Sequence, residues 1–329
     1  MEKYSQYRDR GSGISPFIPN NNPSSTLTLI LHTFIFLFRL PLFLFFATVY
    51  FLILTHLPLP LFVRKVLLWG MLGIPGIWWV DLQLDGVKRG SLSSQPVARV
   101  PGPNSIIAAS FTSPIDALYL ATIFDPIFVA SFPHTRKVQR ISLQRASLLA
   151  LAPVKQQLDA PYPKQLTTIR AIMEANPNRA VVVFPECTTT NGKGVMPLSP
   201  SLLASPSDNN IFPVSIRYTP NDITTPIPGA WTTFLWNLLS RPTNCIRVRI
   251  AEPVQNKPNE PNGVNHQPGE SSSSSSSAAS EDGETPTREE QRILDKIGEA
   301  LARLARNKRV GLTLRDKAAF VEAWNKNRR

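Results

Sequence analysis

Between Leu27 and Val80 the chain carries no acidic residue and only three basic ones, Arg39, Arg64 and Lys65. Within that region, residues 40–57 are an apolar run of bilayer-scale length, since roughly 20 residues cross a hydrocarbon core. The run begins too late and continues too long for a cleaved signal peptide, and it lacks a small-residue cleavage site. Residues 27–80 therefore read as a membrane anchor. A second oily segment follows Pro58 and Pro60 and ends in Trp78-Trp79-Val80, with Arg64-Lys65 on its flank, a composition suited to a membrane interface. Two topologies fit: a spanning helix followed by an interfacial helix, or a hairpin that enters and leaves on one face. Basic residues on both sides of the oily region favour the hairpin with both ends cytosolic. Residues 1–26, rich in Pro, Asn and Ser, read as a disordered tail.

The formal net charge of +12 next to such an anchor suits anionic lipid headgroups or phosphorylated substrates. Nucleic acid is excluded as a partner: there is no zinc-finger spacing or helix-turn-helix signature, and the oily N-terminus argues against it. Two cysteines, Cys187 and Cys245, cannot build a disulfide framework or a CxxC site, so a reducing compartment is expected.

Residues 81–255 alternate short β-branched runs with helical patterns. Strands are expected over 105–109, 126–131, 180–184, 211–218 and 245–251, and helices over 114–123, 143–151, 164–175 and 231–239. This alternation predicts an α/β fold, a mixed sheet covered by helices. Residues 256–284, with seven consecutive serines, read as a linker unable to bury enough apolar surface to fold. Residues 285–329 then form an amphipathic helical segment that opens on the capping pattern Thr287-x-x-Glu290 and is expected to dock on the domain.

The run Val181-Val182-Val183-Phe184-Pro185-Glu186-Cys187-Thr188 reads as a buried strand that delivers a polar loop at its carboxyl end, where open α/β sheets bind ligands. Some 70 residues upstream lies Ser110-Phe111-Thr112-Ser113-Pro114-Ile115-Asp116, and downstream lies Ile211-Phe212-Pro213-Val214-Ser215-Ile216. In this order and spacing the three resemble the blocks of the glycerolipid acyltransferase family, whose hallmarks are Asn-His-x-x-x-x-Asp, Phe-Pro-Glu-Gly-Thr and an apolar strand built around a Pro. The whole-chain pattern looks closest to the fungal branch that acylates lysophosphatidic acid. The resemblance covers residues 100–255.

It implies transfer of a fatty acyl group from acyl-CoA, as co-substrate, to a lysophospholipid hydroxyl, with no cofactor and no metal. The setting implied is the endoplasmic reticulum membrane or a lipid droplet, with the catalytic domain in the cytosol. In the family, a His takes the proton of the acceptor hydroxyl and the Asp five residues later orients the imidazole. Here that His is Phe111, which cannot take a proton. Asp116 keeps the orienting position, and Cys187 replaces the Gly of the third block.

Three groups compete for the vacant role: Asp116 itself, His134 on the loop after the second strand, and, as a nucleophile, Cys187. Glu186 completes the catalytic set. Ser113, Arg136, Arg140, Cys187 and Thr188 are the substrate-binding candidates, since Arg forks onto phosphate oxygens. Ser113 and Asp116 also have a purely structural reading, as the cap and first turn of a helix that starts at Pro114. The rival to an enzyme is a lipid-binding or regulatory protein that keeps the fold without catalysis.

Overall fold

The computed structural model describes residues 2–22, 25–58, 60–87, 96, 99–158, 165–256 and 286–327. The Ser-rich stretch and His266 lie outside them. Two apolar helices, α1 (Thr26–Thr48) and α2 (Leu61–Gly73), lead into strand β1 (Ile77–Leu84). The domain continues through β2 (Ile106–Ala109), α3 (Pro114–Phe124), β3 (Ile127–Ala130), β4 (Val138–Ile141), α4 (Leu143–Leu149) and α5 (Val154–Leu158). Next come β5 (Leu166–Thr167), α6 (Ile169–Glu174), β6 (Val181–Val183), β7 (Gly194–Val195) and β8 (Asn210–Thr219). It closes with α7 (Trp231–Leu239), β9 (Asn244–Ile250), β10 (Val254–Gln255), α8 (Arg288–Ala305), β11 (Lys308–Arg309) and α9 (Leu314–Lys326).

Nine strands form one mixed sheet in the order β1-β9-β8-β2-β6-β3-β4-β5, with β10 pairing β8. The centre is parallel: β2 pairs both β6 and β8, and β6 pairs β3. Parallel strands buried on both faces read as continuous Val and Ile runs, and β2 and β6 are wholly buried. Their common direction puts the segments after β2, β3, β6 and β8 on one edge of the sheet. Apolar side chains on the two faces pack separately, one set against α3, α7 and the anchor helices, the other against α6 and α8.

Four expectations change. The second oily segment is a helix only to Gly73, and its Trp-Trp-Val end is an edge strand parallel to β9, so the sheet begins at residue 77 rather than 81. Gly76 makes this turn possible: it sits at φ 78, and a Cβ there would lie 2.5 Å from the Pro242 carbonyl oxygen. The segment after β3, expected as a loop, contains strand β4, which pairs β3 on one side and β5 on the other. The helix expected over 164–175 is shorter, and β5 precedes it. Finally, the N-terminal segment is folded. Phe17 is buried, and Tyr4, Tyr7 and Phe17 pack their rings on Phe320 of α9. A polar composition concealed three aromatic anchors, each worth more buried area than its neighbours.

The helix that starts at Thr26 runs without a break to His56, 31 residues, and passes through Pro41. It touches the domain along its length. Phe36 meets Trp236 at 5.0 Å, Arg39 donates to the carbonyls of Arg241 and Pro242, and Tyr50 is buried. On α2, Arg64 pairs with Asp125 at 3.1 Å and Lys65 donates to the Ile123 carbonyl.

Candidate active site

Three loops meet at the carboxyl edge of the parallel strands. The loop after β2 turns into α3 through a reciprocal cap. Ser113 accepts the Ile115 N–H, while Asp116 Oδ2 accepts the N–H groups of Thr112 (2.6 Å) and Ser113 (2.9 Å). The other oxygen, Oδ1, accepts the O–H of Tyr218, which arrives at the end of β8. Asp116 is fully buried, and burial pushes its carboxyl up to about 6, against the pull of its four donors. Its lone pairs are thus committed to protein donors, and Tyr218 takes the bond that an imidazole would need. Ser113 is equally enclosed, its hydroxyl spent on the cap.

Phe111 points into the core and stacks on Phe184, with ring centroids 4.3 Å apart and planes at 23°. Backbone bonds lock its surroundings: Thr190 N–H reaches the Phe111 carbonyl and Thr225 N–H reaches that of Thr112.

The loop after β6 carries Glu186. Its Oε2 accepts the Met196 N–H at 3.0 Å, and the Phe111 N–H also supports the carboxylate. Burial raises this carboxyl from an ordinary 4.5 to about 7. Cys187 sits at φ 57, the left-handed region where the family pattern has Gly. Its thiol lies 3.4 Å from the Ser131 hydroxyl, and burial pushes it up to about 11. A thiol so raised is a poor nucleophile. Nor does Arg136 activate it: that guanidinium grips both carboxylate oxygens of Glu290 on α8, at 2.8 and 3.0 Å.

A cavity of about 380 Å³ opens on this edge, lined by Pro133, His134, Glu186, Cys187, Leu314 and Arg315 among others. Glu186, Cys187 and His134 are therefore brought together. Arg140 is not: on β4, opposite Val129, it lines a different cavity with Arg64 and Arg179. Thr188 turns inward, donating to Gln157 Oε1 at 2.6 Å and accepting from Lys317 Nζ at 2.7 Å. Lys317, Tyr218 and Gln157 are the residues that motif reading misses. Lys317 has one sequence signal: it falls in register with Leu314, Val321 and Trp324 on α9, a lysine in an apolar stripe.

No protein-family model matches the chain. It is 28% identical over 267 residues to a provisionally named lysophosphatidic acid:oleoyl-CoA acyltransferase of Schizosaccharomyces pombe, covering 77% of this chain and 85% of that protein. It is 25% identical over 209 residues to lysophosphatidic acid:oleoyl-CoA acyltransferase 1 of Saccharomyces cerevisiae, covering 60% and 61%. Among solved structures, the 1-acyl-sn-glycerophosphate acyltransferase PlsC of Thermotoga maritima aligns over 83% of this chain and 94% of its own, at 14% identity and a TM-score of 0.35. A superposition that loose carries no argument. The curated relatives that align over most of the chain are thus fungal lysophosphatidic acid:oleoyl-CoA acyltransferases.

Proposed function

We propose that this protein transfers a fatty acyl group from acyl-CoA to the free hydroxyl of lysophosphatidic acid, with Glu186 as general base. One observation carries the reading: a buried carboxyl held near 7 lines a cavity at the carboxyl edge of a parallel sheet, on the loop that the acyltransferase motif marks. A base is most effective when its pKa lies near the working pH. The ionised Glu186 takes the proton of the acceptor hydroxyl as its oxygen attacks the thioester carbonyl carbon. The tetrahedral intermediate then collapses, the C–S bond breaks, and Glu186 returns the proton to the coenzyme A thiolate. His134 and Arg315, both exposed and both lining the cavity, are the groups placed to meet the acceptor's phosphate. They take the part first given to Arg136 and Arg140.

Purified protein incubated with labelled oleoyl-CoA should form phosphatidic acid from lysophosphatidic acid in preference to neutral or zwitterionic acceptors. The absence of transfer to any acceptor, with the fold intact, would leave a lipid-binding protein of the same fold, the alternative that the buried Phe111 favours.

The membrane is the proposed place of action, that of the endoplasmic reticulum or a lipid droplet. Leu27, Ile30, Phe34, Phe38 and Phe45 of α1, Phe62 of α2, and Trp78 and Trp79 of β1 are exposed apolar side chains. Because α1 contacts the domain along its length, we infer that it lies in one leaflet instead of crossing the bilayer. Phe34→Asp with Phe38→Asp should release the protein from liposomes into the supernatant after flotation. Single-cysteine probes placed along α1 should all react from the cytosolic side, and reaction from the luminal side would reject the in-plane arrangement.

A further inference from the structure

Lysine is among the side chains least often fully buried, yet Lys317 of α9 has no exposed surface. Its ammonium donates to Thr188 Oγ1 (2.7 Å), to the Thr189 carbonyl (2.6 Å) and to Thr189 Oγ1 (3.3 Å). Three donors meet three acceptors, so the group has no valence left for a ligand. Both threonines belong to the loop that carries Glu186, and each is tied onward. Thr188 bonds Gln157, while Thr189 donates to the Thr225 carbonyl at 2.6 Å. Glu186 is the charged group whose field registers on Lys317, and that carboxylate in turn feels Asp116. Of the other charges on these elements, Lys155 of α5 and Arg315 of α9 are exposed to solvent, and Asp316 caps its own helix on Thr313.

We propose that Lys317 is a positioning residue of the acyltransferase site, delivered by the C-terminal helix to hold the Glu186–Thr189 loop, and with it Glu186, in place. The proposal rests on reading this edge as the catalytic site. It makes α9 part of the catalytic unit, although α9 lies outside the three motif blocks and after the Ser-rich stretch. Removing the ammonium leaves Glu186 without its counter-charge, so the carboxyl holds its proton to higher pH. The loop also loses three charge-assisted bonds.

The test compares the full-length protein with Lys317→Met, Lys317→Gln and Phe320→Leu, using amide hydrogen exchange and pH–rate profiles. In Lys317→Met the amides of 186–191 should exchange about tenfold faster or more, with Trp324 emission unchanged because α9 stays docked. Its kcat should fall by about tenfold or more, and the acid limb of the profile should move to higher pH. Phe320→Leu trims the packing of α9 but keeps the ammonium, so it should lower the melting temperature with α9 still docked while the loop amides and the acid limb keep their wild-type values, which separates positioning from mere support. If Lys317→Met undocks the helix, Lys317→Gln, which keeps a donor without the charge, carries the test. Loop amides exchanging at the wild-type rate, or an acid limb that stays in place, would overturn the proposal. Should the wild type transfer no acyl group at all, the proposed activity fails, and the exchange data alone decide whether Lys317 holds this loop.

Discussion

Glu186→Gln lowers kcat for acyl transfer by about 10²–10⁴-fold, the usual worth of a positioned general base, and leaves lysophosphatidic acid binding nearly unchanged. The amide oxygen can still accept from Met196 and Phe111, so the loop keeps its shape. What disappears is the ability to take a proton. In the wild type, activity should rise with pH through about 7, as the buried carboxyl ionises.

The same substitution should stabilise the fold at alkaline pH. A carboxyl raised from 4.5 to about 7 on folding binds a proton more tightly in the native state. Its contribution to stability is full below the unfolded value and is lost as pH rises through about 7. Lys317 runs the other way: depressed from 10.5 to about 7, its contribution is present above the unfolded value and is lost as pH falls through about 7. At pH 8 the wild type therefore carries a buried carboxylate whose partner ammonium is itself losing its proton. Gln removes that cost, so the melting temperature at pH 8 should rise by several degrees, at about 2–4 °C per kcal/mol for a domain of this size. At pH 5, where the wild-type carboxyl is already neutral, it should not change. Calorimetry at the two pH values checks this. A variant retaining more than about a tenth of wild-type kcat would move the base from Glu186 to His134 on the same cavity.

The centre of the sheet was legible because parallel strands must be apolar on both faces, which leaves little else that Val181-Val182-Val183 or Ile106-Ile107-Ala108-Ala109 can be. The polar loop after β6 was legible for the same reason, since hydroxyls and a carboxylate following a buried strand need partners. What stayed hidden depended on pairing at long range. Trp78 and Trp79 look interfacial by composition, and only the edge of β9 makes them a strand. Arg136 in a basic cluster reads as a phosphate ligand, but a carboxylate 154 residues later claims it. Lys317 sat in an apolar stripe where a lysine needs an explanation, and the explanation lies 129 residues away on another loop. The N-terminal segment shows the limit of composition: Tyr4, Tyr7 and Phe17 pack on an aromatic face of α9, and Asn191 donates to the Ser15 and Ile18 carbonyls.

Phe111→His restores the family's base in name, and it should lower both stability and activity. Phe111 is wholly buried against Phe184, so the substitution gives up part of a stacked pair worth roughly 0.5–1.5 kcal/mol. It also places an imidazole nitrogen where a partner is lacking, a further cost of about 1–3 kcal/mol. The orienting carboxylate cannot help: Asp116 Oδ1 is taken by Tyr218 and Oδ2 by the cap of α3. Tyr218 is therefore the residue that decides whether a histidine can work here. Tyr218→Phe alone should destabilise the protein, since it leaves Oδ1 buried and one donor short. Combined with Phe111→His it frees that oxygen to orient the new imidazole, so the double variant should be more stable and more active than the two single losses predict by addition. Neighbours that share a partner depart from additivity by about 0.5–3 kcal/mol, within reach of a thermal melt and an acyl-transfer assay on the four proteins. A large gain in kcat from Phe111→His alone would show that Asp116 abandons Tyr218 for the imidazole, and that Phe111 stands in a catalytic geometry left vacant rather than in a rebuilt core.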